Sequence, residues 1–164
     1  MTIVAVPPIV RSGLPVSSSR IRARIAAGQL SDAARLLTRP PALYGTVVRG
    51  AGRGRRLGIP TANIRVANQA LPPTGVYAVK VRVPGRARSW GGVMNLGVRP
   101  TFGPGPLVCE VHLFGFAGAL RGRLLMVQLL ARLRSERCFT HPEALRRQMR
   151  RDVLRARRVL SRYP

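Results

Sequence analysis

The sequence predicts a mainly β fold: an antiparallel sheet closed into a barrel, with a short helical arm before it and one α-helix after it. Three observations carry this expectation. Five segments between residues 44 and 133 read as strands, parted by turns rich in glycine and proline. The first forty residues hold two short helical patterns and little else that could bury a core. The last twenty-odd carry one apolar stripe at spacings of three and four.

In chain order, Ser17-Ser-Ser-Arg-Ile-Arg22 leads into a helical pattern with Ile21 and Ile25 four apart. Ser31 and Asp32 are placed to cap a second helix that ends near Leu37. Arg39-Pro40-Pro41 then breaks the chain and marks a boundary between residues 1–40 and 41–164. An arm this small must dock on something to be ordered. Strands are expected at 44–49, 76–83, 89–98, 108–114 and 124–133. The second alternates best, with Val79, Val81 and Val83 on one face and Lys80 and Arg82 on the other. Thr140-His-Pro-Glu143 fits a capping box for the final helix, in which Leu145, Met149, Val153, Ala156 and Leu160 form the stripe and arginines cover the opposite face.

Composition sets limits on function. The chain has 164 residues, 46% of them hydrophobic, which is ample for a core and excludes wholesale disorder. Its net charge is +24, from 29 basic residues of which Lys80 is the only lysine. The arginines are spread along the chain, as a genome rich in arginine codons would give, and not gathered into a nucleic-acid-binding tail. The few aromatics are scattered and make a poor stacking platform for single strands, so no specific nucleic-acid partner is expected. Carboxylates are scarce: Asp32, Glu110, Glu136, Glu143 and Asp152 are all there are, and acid–base chemistry must draw on them. Cys109 and Cys138 form neither a metal cluster nor a disulfide framework and are expected to be small buried hydrophobes. The apolar start, residues 2–10, is too short to span a bilayer and lacks a basic segment before it. A cytoplasmic protein without membrane attachment is expected.

Three constellations carry chemistry. The first is Gly58-Ile-Pro-Thr61-Ala-Asn63, just after the cationic glycine loop Gly50-Ala-Gly-Arg-Gly-Arg-Arg-Leu57. Thr61 and Asn63 stand at i and i+2, so in an extended segment their neutral oxygens share a face. A hard cation such as Mg²⁺ takes such ligands together with substrate phosphates. The loop is no P-loop, since no lysine and hydroxyl follow its glycines, and from the residues alone a turn held by side-chain-to-backbone hydrogen bonds is the first account of Thr61 and Asn63. The second is Glu110, in Val108-Cys-Glu-Val-His-Leu-Phe114, where period two sets Glu110 and His112 opposite Cys109, Val111 and Leu113. Glu110 reads either as a structural ion pair with an arginine or as a general base near the barrel mouth. His112 reads as a satisfied strand histidine. The third is Leu133-Arg134-Ser-Glu136-Arg-Cys-Phe139, which could recognise a flat polar ring or anchor the helix through an Arg134–Glu136 pair.

Together these pieces resemble the riboflavin kinase family, in particular the C-terminal kinase module of bacterial bifunctional riboflavin kinase/FAD synthetases. The matching runs are Gly45-Thr-Val-Val-Arg-Gly50, Gly54-Arg-Arg-Leu-Gly-Ile-Pro-Thr-Ala-Asn-Ile64, Leu71-Pro, Gly75-Val-Tyr-Ala-Val79, Asn95-Leu-Gly-Val-Arg-Pro-Thr-Phe102, Glu110-Val-His-Leu113, Leu133-Arg-Ser-Glu136 and Phe139. They cover roughly residues 41–161. The resemblance implies a six-stranded antiparallel, Greek-key-like barrel with a C-terminal helix. It implies transfer of the γ-phosphoryl of ATP to the 5′-hydroxyl of riboflavin, giving FMN and ADP with Mg²⁺ as cofactor. In that reading Glu110 is the base, and Thr61 and Asn63 hold the metal. Gly50, Arg55, Arg56, Gly58, Thr61, Asn63 and Gly122 bind ATP, with residues 50–58 as a flap. Arg134, Glu136 and Phe139 border the flavin.

Val16-Ser-Ser-Ser-Arg-Ile-Arg22 is similar to the end of the adenylyltransferase module that precedes the kinase in bifunctional proteins. Residues 1–40 are thus expected to be a remnant of that module, in a monofunctional kinase or a fragment. The module's His-x-Gly-His motif is absent from these 164 residues. FAD synthesis by this chain alone is not expected, and a separate FMN adenylyltransferase would take up its product. One departure stands out: where the family carries acidic residues and Leu-Tyr-Gly, this chain has Phe116-Ala-Gly-Ala-Leu-Arg-Gly122. A catalytically impaired flavin binder and, further off, a basic nucleic-acid-binding barrel are the alternatives.

Overall fold

Strand alternation decides which side chains fill the barrel and which are left on its outer wall, and the computed structural model follows that alternation closely. It describes residues 7–11, 13–50, 52–98 and 107–163, and only the backbone of Arg53 and Arg56. A two-residue hairpin, β1 (Val10–Arg11) with β2 (Leu14–Pro15), precedes α1 (Ser18–Ala26) and α2 (Leu30–Leu37). Then come β3 (Ala42–Val48), a single helical turn α3 (Arg53–Arg56), β4 (Ala62–Val66), β5 (Gly75–Arg82), β6 (Ser89–Val98), β7 (Leu107–Leu113), β8 (Leu124–Arg134) and α4 (Pro142–Leu160).

Six strands close a barrel in the order β3-β4-β7-β6-β5-β8, every neighbouring pair antiparallel. Strands β5, β6 and β7 form a meander and β8 returns to lie beside β5, which is the Greek-key arrangement. Five of the six barrel strands fall where alternation predicts them. The sixth, β4, is the segment carrying Asn63; it is short and rich in residues that strands disfavour.

Side chains from all six strands fill the interior, among them Val47, Ile64, Tyr77, Met94, Cys109, Val111 and Val127. These side chains make the barrel interior the packed core of the protein. Tyr77 is wholly buried and its hydroxyl donates to the Pro73 carbonyl, while burial pushes its pKa above the usual tyrosine value. Residues 116–120 close over this core: Phe116 meets Trp90 edge to face at 5.1 Å between centroids, and Leu120 packs beside it. Gly122, in the left-handed region at φ 75°, turns the chain into β8 and donates its N–H to Val47 O.

The arm does dock. Leu30 belongs to the barrel's core cluster and Ala33 is fully buried. Ser17 caps α1 by accepting from the Arg20 N–H. The second cap differs from expectation: Gln29 is the N-cap of α2 without a side-chain bond, and Asp32 lies inside the first turn, paired to Arg35. The helix C-terminus at Leu37 agrees, ended by Thr38 in the left-handed region.

The capping box at α4 does not form. Pro142 starts the helix, so His141 is the N-cap, one residue later than a Thr140 cap requires, and no side chain bonds to the first turn. The stripe is present, with Ala156 fully buried and Leu145, Met149 and Val153 half-buried over the outer face of the sheet. Cys109 is buried as expected; Cys138 is exposed, because the segment after β8 runs along the surface.

Candidate active site

One cross-strand row organises the outer wall of the barrel. Val48 pairs with Asn63, Asn63 with Glu110, Glu110 with Asn95, Asn95 with Val76, and Val76 with Arg134. Directly opposed residues of antiparallel strands share a face. The next row, Ile64, Cys109 and Leu96, points into the core. Asn63, Glu110 and Asn95 therefore stand side by side facing outward, each about 4.8 Å from the next, the usual strand spacing.

Over this row lies a cavity of about 360 Å³. Its floor is β6 and β7, with Asn95, Gly97 and Glu110. One wall is the segment following β3, with Gly54, Ile59 and Thr61; the other is the segment after β8 together with α4, with Glu136, Phe139, Met149 and Val153. The site is on the side of the barrel, and Glu110 sits mid-strand instead of near the mouth, because the interior is already full.

Backbone shape sets the first wall. Gly50 lies against Asn63 so closely that a Cβ there would sit 1.9 Å from its Nδ2. A Cβ on Gly54 would meet Ile59 O at 2.4 Å and Thr61 Oγ1 at 2.9 Å. Only glycine permits either approach. Within the loop, Ile59 N–H donates to Gly54 O and Gly58, at φ 76°, ends the turn. His112 fastens the loop to the floor: its Nδ1 is 2.7 Å from the Pro60 carbonyl, which can only accept, so Nδ1 carries the hydrogen. Thr61 and Asn63 make no side-chain hydrogen bond among the described residues, so the turn-locking alternative does not hold for them. Asn68 has that role, accepting from Tyr44 N–H and donating to Ala42 O.

Charge sets the second wall. Arg134 does not pair with Glu136; it grips Asp152 on α4, with Nε at 3.1 and 3.0 Å from the two carboxylate oxygens and Nη2 at 2.8 Å from Oδ2. Gln148 donates to the same carboxylate at 2.9 Å. Asp152 is 2% exposed, and this bond set ties α4 to the end of β8. The Arg134 guanidinium lies 6.0 Å from the centre of the Phe139 ring. Glu136 is folded onto β6, where a Cβ on Gly97 would be 1.7 Å from its Oε1.

Glu110, Thr61, Arg134, Glu136 and Phe139 thus line one cavity, with Asn63 beside Glu110. Gly50 reaches it through Asn63. Arg55 and Gly58 are exposed on the loop, and Gly122 sits at the β3–β8 end of the barrel; none of the three lines the cavity. The Arg56 side chain and residues 99–102 of the Asn95 motif lie outside the described residues. Sequence reading left out Asn95 and Asp152 as site residues. Asp152 had a signal: it is three residues after Met149 and four before Ala156, an acid on the apolar stripe of an arginine-covered helix.

Glu110 has no ion-pair partner among the described residues, although the protein carries 29 cations. The ion-pair reading of Glu110 is not what the structure contains. Beneath it, burial and then the adjoining Glu110 push the Cys109 thiol up to about 12. The oxygens of Thr61 and Asn63 are uncommitted and suit a hard cation. No cluster of three or more His, Cys, Asp or Glu side chains that could hold a metal exists among the described residues.

Residues 37–160 match the family model described as Flavokinase: Riboflavin kinase. The bifunctional riboflavin kinase/FMN adenylyltransferase of Pseudomonas fluorescens is 43% identical over 161 residues, covering 98% of this chain and 51% of that protein. The chain spans about half the length of the curated relatives it matches. A crystal structure from Streptococcus pneumoniae, described as a macrolide-efflux protein, superposes with a TM-score of 0.81 at 33% identity, over 93% of this chain and 50% of that one. Among the described residues here, no helix is long and apolar enough to cross a membrane. Riboflavin kinase from Trypanosoma brucei shares the fold, with a TM-score of 0.53 at 24% identity over 74% of this chain and 78% of that one. The chain belongs to the riboflavin kinase family.

Proposed function

We propose that this chain transfers the γ-phosphoryl of ATP to the 5′-hydroxyl of riboflavin, yielding FMN and ADP. The observation that carries this reading is the row of Asn63, Glu110 and Asn95: an unpaired carboxylate between two amides, with Glu110 and Asn95 on the floor of a cavity that has a glycine loop on one side and an apolar helix face on the other. Glu110 accepts the hydroxyl proton as the alcohol oxygen attacks the γ-phosphorus and the bond to the bridging oxygen of ADP breaks. Thr61 and Asn63 would hold Mg²⁺, which when bound neutralises charge on the phosphate oxygens. Residues 50–58, with Gly50, Arg55, Arg56 and Gly58, cover the nucleotide. Glu136 and Phe139 border the flavin, and Arg134 supports that border through its grip on Asp152. The cavity volume of about 360 Å³ is in the range of small-molecule sites.

Residues 1–40 are assigned to the end of an adenylyltransferase module and residues 41–164 to the kinase. The support is the Ser/Arg run at 17–22 and the match of a bifunctional relative along 98% of the chain. Biosynthesis of this kind places the protein in the cytoplasm, handing FMN to an adenylyltransferase.

The test is to incubate the protein with ATP, Mg²⁺ and riboflavin and measure FMN. Glu110→Gln keeps the shape but cannot take the proton, so turnover falls by about 10²-fold or more while riboflavin binding is retained. Unchanged turnover in that variant removes Glu110 from the reaction.

A further inference from the structure

The Asn63–Glu110–Asn95 row has a direction. On the Asn63 side the glycine loop closes down, with Gly50 against the Asn63 amide and Gly54 against Thr61. That side offers backbone and neutral oxygens, with Leu57 and Ile59 as the apolar side chains its loop turns to the cavity. Asn95 is two strands away, about 10 Å along the row at ordinary strand spacing. Its surroundings are different: Val76 follows it in the row, and Val93, Met149 and Val153 line the same cavity from β6 and α4. An apolar slot of this kind holds a flat ring, while a polyol leading from the ring toward Glu110 must pass Asn95.

The Asn95 amide is half-buried and makes no side-chain hydrogen bond among the described residues. A half-buried amide with two donors and an acceptor left unused is equipped to bind a hydroxylated chain. Glu110, its cross-strand partner, is equally without a bond.

Resting on the kinase reading above, we infer that Asn95 is the residue that holds the polyol of the acceptor alcohol, delivering its terminal hydroxyl to Glu110. The nucleotide then enters on the Asn63 side, and the phosphoryl group crosses the row at Glu110. Asn95 sets which alcohols are accepted: a flavin with its full hydroxylated chain is bound through it, and a ring without the chain is not.

The experiment compares the binding of two flavins by fluorescence quenching, riboflavin and lumiflavin, which carries a methyl group in place of the polyol. In Asn95→Ala, riboflavin affinity is expected to fall about tenfold, the worth of a lost pair of hydrogen bonds to a neutral group, while lumiflavin affinity is unchanged. Equal losses for both ligands, or no loss for either, overturn the proposal. Asn95→Asp keeps the size of the side chain, so it guards against a folding defect. It still offers acceptor oxygens to the hydroxyls, so its riboflavin affinity is expected to lie between those of the wild type and Asn95→Ala with lumiflavin affinity unchanged, and an equal loss for both flavins counts against the placement. The binding comparison needs no turnover. If the wild-type protein makes no FMN yet discriminates the two flavins through Asn95, the kinase reading fails and the polyol subsite stands.

Discussion

The two walls of the cavity are built on opposite principles. The wall over Asn63 is shaped by absence: Gly50 and Gly54 lack the Cβ atoms that would strike Asn63 and Ile59, so the loop lies flush on the strand. The wall made by α4 is held by a concentrated attraction, the buried pair of Arg134 and Asp152 braced by Gln148. The first wall leaves its polar oxygens free for a ligand; in the second, Arg134 and Asp152 neutralise each other, while Glu136 has no ion-pair partner among the described residues. A nucleotide side must accept phosphates and a cation. A flavin side needs a rigid apolar surface, and a neutralised ion pair fixes the helix without adding net charge to it.

The largest expected effect is on the charged wall. Asp152→Ala leaves the Arg134 guanidinium buried without its counterion, and breaking such a pair costs about 3–5 kcal/mol. Denaturant unfolding should register that loss; an unaltered midpoint would show that the helix is held by its apolar stripe alone. The glycine wall should respond in function more than in stability. Gly54→Ala forces Ile59 and Thr61 to move, and a displacement of that kind costs about 10²-fold in turnover. Gly50→Ala turns the Asn63 amide aside and should raise the KM for ATP with Mg²⁺ while riboflavin binding holds. If either variant instead weakens riboflavin and ATP equally, the division between the walls is wrong. The smallest effect is chemical labelling. Near pH 8, iodoacetamide should modify exposed Cys138 and spare Cys109, whose thiol is held neutral by burial up to about pH 12. Labelling of Cys109 in the folded protein would mean that the floor beneath Glu110 opens.

Much of the fold could be read directly because period two is a local property. Alternation in β7 already separated Cys109, Val111 and Leu113 from Glu110 and His112, and the structure keeps that division. Strand β4 is hard to read for the same kind of reason: alanine and asparagine open it directly after Pro60 and Thr61, and its first large apolar side chain is Ile64. The row itself is not local information. Asn63 and Asn95 are 32 residues apart and Asn95 and Glu110 are 15 apart, and the three meet only through strand register, so no local pattern marks Asn95 as their neighbour. The Arg134–Asp152 bond likewise depends on how α4 crosses the sheet. The misplaced helix cap shows the limit from the other side: Thr140 and Glu143 have the right spacing, but Pro142 fixes the start of the helix one residue later.

The alternation along β7 has one more consequence. Neighbouring positions on that strand carry a thiol that must stay dry and a carboxylate that must stay reachable, and a pairing error of one residue would exchange them. It would bury the negative charge of Glu110 among apolar side chains while emptying the Asn63–Asn95 gap of its acid. Such a misfold is penalised twice, in stability and in chemistry. A chain that folds at all has therefore already set its carboxylate in the correct place, and the energetic check on assembly doubles as a check on competence.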